Sequence, residues 1–122
     1  MRLHFKDLDT PHTRIHLARI AIGLAIEMYG DDRRLAKVLA EVAIRLVAAP
    51  YVELDDDDMR WAMNKISSNV NRLNDDFTVN QLRWRYYKQH GKLIVDDESQ
   101  TIIWMAYHYT VGPEPEKGNA IE

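Results

Sequence analysis

Two histidines, His12 and His16, stand four residues apart in HTRIH. That spacing brings two imidazoles onto one side of a helix, where they can share a metal. The motif lacks the glutamate of a zinc-protease helix, and the sequence fixes no third ligand, so no metal site is assigned. Four consecutive acids, Asp55 to Asp58, raise calcium as a ligand. An EF-hand loop needs glycine at its sixth position, and counted from Asp55 that place is Arg60. The run reads instead as acids at a helix N-terminus, which the helix dipole favours. The chain has no cysteine, which excludes disulfides, thiolate metal sites and cysteine nucleophiles. No nucleophile elbow, phosphate-binding glycine loop or dinucleotide fingerprint is present. The sequence therefore assigns no enzyme activity, metal or cofactor.

The residues with the most to offer a ligand lie between Phe77 and Lys92. Thr78, Asn80, Gln81 and Arg83 open a short helix, with Trp84, Arg85, Lys88 and Lys92 further along. Asn and Gln can pair with adenine and Arg with guanine in a major groove. Arg85, Lys88 and Lys92 are of the type that lies along phosphates and gives salt-dependent affinity. The window 59–92 holds seven basic and two acidic residues, a charge of +5 in a chain of net charge −3. Such asymmetry suits a surface that faces a polyanion. The sharper reading is a small regulatory protein that binds nucleic acid, DNA above all, through helix 79–90. The alternative is a non-enzymatic interaction module, an adaptor or inhibitor, since tryptophan among arginines also marks protein–protein hot spots. On that reading Trp84 and Trp61 carry the contact.

These residues must be held by helices. The stretch 11–29, PHTRIHLARIAIGLAIEMY, has a cap in Thr10, proline at its first position and Gly30 as a left-handed stop. Its His12, His16, Arg19, Gly23 and Glu27 form one narrow polar strip, and nearly every other residue is apolar. A helix apolar almost all round is buried on several sides, so this one is expected at the centre of the fold. A second helix, 32–49, is capped by Asp31 or Asp32 and ended by Pro50, and the short connection makes the two an antiparallel hairpin. Their apolar faces exceed what one neighbour can cover, which predicts a homodimer through them.

A third helix runs from about residue 56 to Leu73, with Met59, Ala62, Met63, Ile66, Val70 and Leu73 as its buried stripe. In FTVNQL, Thr78 and Gln81 form a capping box with Phe77 and Leu82 as the hydrophobic staple, and Gly91 closes helix 79–90. KLIV and TIIW then read as a β-hairpin around DDESQ, in competition with a helix capped at Asp96 or Asp97 and running through Tyr109. With the hairpin, the order of elements over 56–105 is compatible with a winged helix-turn-helix, whose second helix enters the major groove.

At 122 residues the chain is expected to fold as a single mainly α domain, 1–111, of four or five helices. Residues 2–8 can form a short strand or an extended arm. The tail 112–122, polar with two prolines, is expected to be disordered. Arg14, Arg19 and Glu27 interrupt the most apolar helix, so no membrane span is expected. MRLHFKDLD lacks the apolar centre of a signal peptide, which points to a cytoplasmic protein.

Overall fold

The computed structural model describes residues 2–4, 11–48, 51–53 and 57–111. The helices are α1 (Pro11–Met28), α2 (Arg33–Ala48), α3 (Asp57–Ser67), α4 (Val79–His90) and α5 (Glu98–Val111). Two three-residue strands, β1 (Arg2–His4) and β2 (Tyr51–Glu53), pair antiparallel with Leu3 opposite Val52. The architecture is a helical bundle. Thr10, Pro50 and the tail 112–122 lie outside the described residues, as do Asp55, Asp56 and the side chain of His12.

α1 is the centre. Ala18, Ala21, Ile22 and Ala25 are fully buried, and Ile20, Leu24 and Ile26 nearly so. All four other helices pack on it, α2 most extensively, and α5 lies chiefly against α2. Alanines on both members of the α1–α2 hairpin (Ala18, Ala21, Ala25, Ala36, Ala40 and Ala43) are fully buried, so the backbones can approach closely. Asp32 caps α2, its Oδ1 accepting from the Leu35 amide at 3.0 Å. The apolar faces of both helices are covered within one chain. The case for a dimer through them, which rested on uncovered apolar area, therefore falls away. Gly30 is not a left-handed stop either: among the described glycines only Gly91 has a positive φ.

α3 ends earlier than its apolar spacing suggests. Ser68 Oγ and Asn69 Nδ2 donate to the carbonyls of Asn64 and Lys65. These local bonds compete with helix propagation, and the chain tightens into a 3₁₀ turn at Val70–Arg72. Val70, expected in the buried stripe, is exposed as a result.

The larger correction concerns residues 92–110, where a helix replaces the expected hairpin and no wing forms. Asp97 Oδ1 accepts from the Gln100 amide at 2.9 Å and caps α5, with Glu98 in the first turn. Thr101, Ile102, Met105, Ala106 and Tyr109 are buried, the i, i+1, i+4, i+5, i+8 pattern of a helix face. Burial against α2 overrides the β preference of Ile102, Ile103 and Trp104.

Candidate interaction surface

α4 begins and ends where its residues dictate. Thr78 Oγ1 accepts from the Gln81 amide at 3.2 Å, and Phe77 and Leu82 are both fully buried. At the other end Gly91, with φ +73°, donates to Tyr87 O at 2.7 Å. Leu82 and Tyr86 face inward, which turns Asn80, Gln81, Trp84, Tyr87 and Lys88 to solvent.

The polar strip of α1 is the dock for the segment leading into α4. Arg19 Nε donates to Phe77 O at 2.9 Å, and its Nη1 pairs with Glu98 at 3.0 Å. Glu27 pairs with Arg72 at 2.6 Å and Arg85 at 2.9 Å. Arg72 also holds Asp76 at 2.6 Å, and its guanidinium lies 4.6 Å from the centroid of the Phe77 ring. Hydrogen bonds from Glu27 and then Asp76 raise the Arg72 pKa above its ordinary value. Four charges thus close the α1–α4 seam.

This architecture divides the eight residues singled out for nucleic acid. Thr78 is spent on the cap. Asn80 Oδ1 accepts from Arg83 Nη1 at 3.0 Å, and Arg83 Nη2 donates to Asp96 O, fastening the return loop 91–97 to α4. Arg85 belongs to the Glu27 seam. Gln81, Trp84, Lys88 and Lys92 remain exposed. Trp84, 55 % exposed, stacks on Tyr87, 43 % exposed, with centroids 5.9 Å apart. The Lys88 ammonium stands 5.6 Å from the indole centroid. Trp61, the other tryptophan considered for a contact, is partly buried against the core.

A second cluster escaped the sequence reading because it depends on α5 being a helix. Tyr29, Tyr86, His90, His108 and Tyr109 meet where α1, α4 and α5 end, with the two imidazole centroids 4.2 Å apart. Tyr109 Oη donates to Gln89 Oε1 at 2.8 Å and so accepts from His90 Nε2, also at 2.8 Å. Gln89 Nε2 passes the chain on to Ile26 O at 3.0 Å. Tyr86 Oη and His108 Nδ1 share a further bond of 2.9 Å. Burial, with the nearby His108 and Arg33, pulls the His90 pKa down to about 4, and burial pushes that of Tyr109 up. These hydrogen bonds and ring contacts tie three helix ends together.

Among the described residues no three His, Asp or Glu gather as a metal site, and no helix is long and apolar enough to cross a membrane. Comparison with protein-family models, with curated proteins and with solved structures finds no match to this chain.

Proposed function

We propose that this chain is a non-enzymatic interaction module that binds a protein partner through the outer face of α4, with Trp84 as its anchor. The observation that carries the reading is the Trp84–Tyr87 stack, open to solvent and flanked by Lys88. Burying a large aromatic in a partner's pocket is the commonest source of hot-spot energy at interfaces. The neighbouring arginines support it from the other side. Arg83 and Arg85 are engaged within the fold, so Lys88 and Lys92 are the cations of this face turned to solvent.

A nucleic-acid reading draws on the same stack, because bases also stack on exposed aromatics beside lysines. Gln81, Trp84, Lys88 and Lys92 would carry it. One set of measurements separates the two. Purified protein is tested by gel retardation against single-stranded DNA, duplex DNA and RNA at low salt, and a photo-crosslinker placed at Tyr87 captures protein partners for reconstitution from pure components. The protein reading expects no retardation and a reconstituted complex that Trp84→Ala abolishes and Lys92→Ala spares. Retardation that fades with salt and weakens in Lys88→Ala and Lys92→Ala overturns it.

A further inference from the structure

The outer face of α5 differs from those of its neighbours. Lys37, Lys65 and Lys88 are exposed on α2, α3 and α4, whereas Ser99 to Val111 holds no Asp, Glu, Lys or Arg. The exposed residues of α5 are Trp104 at 43 %, Tyr107 at 45 % and Val111 at 59 %. With the partly buried Gln100 they follow one another at intervals of four, three and four residues, the alternation of a coiled-coil seam. The Trp104 and Tyr107 rings meet edge to face, their centroids 6.4 Å apart. Beside them Thr110 Oγ1 donates to Tyr107 O at 3.1 Å, so that hydroxyl is satisfied within the helix. Covering such a face strips no charge of its water, and the apolar area removed from solvent stabilises whatever assembly covers it.

The spacing also makes the seam complementary to itself. Let two copies of α5 lie antiparallel about a two-fold axis midway between Trp104 and Tyr107. Trp104 of each copy then faces Tyr107 of the other, and Gln100 faces Val111, so every seam residue is covered. Aromatic pairs of this kind add to the area they bury. The charges at the helix ends favour the same direction. Asp96 and Asp97, both exposed, precede α5. Arg33 stands at its other end, with its guanidinium 4.7 Å from the centroid of the Tyr29 ring, which in turn meets Tyr109 at 5.1 Å. Antiparallel pairing brings the acidic end of one copy to the basic end of the other, whereas parallel pairing would set the acids against themselves.

We infer that the outer face of α5 binds the same face of a second copy of this chain, as an antiparallel helix pair closed by that two-fold axis. An isologous contact of this kind uses up both faces and goes no further. A different protein would be selected by charged or polar groups matched to its own, and the seam has no charge to offer it. A second copy needs none, because the register is matched within one helix. A single pair of 14-residue helices covers little area, so the dimer is weak and depends on concentration. Its residues lie on a different helix from Trp84, and the inference does not rest on the reading of α4.

Sedimentation velocity over a concentration series tests the inference. The full chain is expected to move from the 14.3 kDa monomer towards twice that mass. Trp104→Ala is expected to weaken association roughly ten-fold or more, as loss of a central aromatic does. Trp104→Glu puts a charge in the seam and is expected to leave only monomer, with circular dichroism and melting unchanged because the side chain is exposed. The register is read by oxidation, since the chain has no cysteine of its own. In the antiparallel pair the two copies of residue 111 stand roughly 16 Å apart along the helices, beyond the reach of a disulfide. Val111→Cys alone is therefore expected to stay uncrosslinked, whereas an equal mixture of Val111→Cys and Gln100→Cys forms the disulfide dimer. A chain that is monomeric at every concentration overturns the inference. So does a Val111→Cys protein that crosslinks as readily alone as in the mixture. A dimer that survives Trp104→Glu, or that Trp84→Ala dissolves, overturns it as well, the latter by moving the interface to α4.

Discussion

The ring of Phe77 lies where a side chain on residue 23 would have to stand: a Cβ on Gly23 would overlap Cδ1 and Cε1 and come within 2.9 Å of Cγ. Gly23 therefore lets α1 receive the segment that starts α4. Gly23→Ala is expected to push Phe77 out of its fully buried seat and lower stability by about 1–3 kcal/mol in urea unfolding, the range for overpacking a tight core. Gly30→Ala is the control. Nothing lies within 4 Å of a Cβ there, and its backbone is not left-handed, so that variant is expected to match the wild type or exceed it by up to ~1 kcal/mol. Equal stabilities for the two variants would contradict this account of the seam.

Next to that contact, Glu27 is the shared acceptor of Arg72 and Arg85. Glu27→Gln leaves two guanidiniums facing one neutral amide, with Asp76 as their remaining acid. All four side chains keep about a third of their surface in water, so solvent screening limits the loss to about 1 kcal/mol. The gap between wild type and variant should shrink as salt is added. A gap that holds constant in molar salt would mean packing, not charge, joins α1 to α4.

How much of this was legible in the sequence depended on how local the cause was. Thr78, Gln81 and Gly91 act within a few residues of themselves, and α4 begins and ends where they predict. The nearly circumferential apolar surface of α1 foretold its central place. The narrow polar strip was equally visible, but its role was not: that Arg19, Gly23 and Glu27 meet Phe77, Arg72 and Arg85 depends on contacts about 50 residues distant in the chain. For the same reason Arg83 and Arg85 read as free cations when taken along α4 alone. TIIW misled because its β-branched and aromatic residues favour strands locally, whereas the burial that makes α5 a helix comes from α2. Once that helix was read as a hairpin, the meeting of His90 with His108 and Tyr109 could not be foreseen.

Tyr109→Phe probes that meeting directly. It removes the hydroxyl that accepts from His90 and donates to Gln89, and it strands the partly buried His90, whereas the exposed Gln89 can turn to water. Leaving such groups unsatisfied costs about 1–3 kcal/mol, and loss of the same size is expected in thermal or urea unfolding. Phe at Tyr107, whose ring is exposed on α5, should change stability by less than ~0.5 kcal/mol. If the two substitutions behave alike, the hydrogen-bonded chain from His90 to Ile26 contributes nothing to the fold.

The same cluster sets a pH dependence whose sign follows from its composition. Burial is the first cause that lowers the His90 pKa to about 4, and the positive charge of His108 and Arg33 adds to it. Tyr29, Tyr86 and Tyr109 face the ring from α1, α4 and α5 without offering it a negative charge. In the unfolded chain a histidine titrates near 6.5. Between that value and about 4 the unfolded chain binds a proton that the folded protein refuses, so stability is fully present above pH 6.5 and falls as the pH drops towards 4. The partial exposure of His90 reduces the effect to about 1 kcal/mol between pH 7 and pH 5. His90→Gln keeps an N–H for Tyr109 but cannot titrate, so its urea midpoint should vary less over that interval than the wild type's. Carboxylates protonate in both proteins alike, and the difference between the two curves isolates His90. Parallel curves from pH 7 to pH 5 would show that His90 takes its proton as readily in the folded protein as in the unfolded chain.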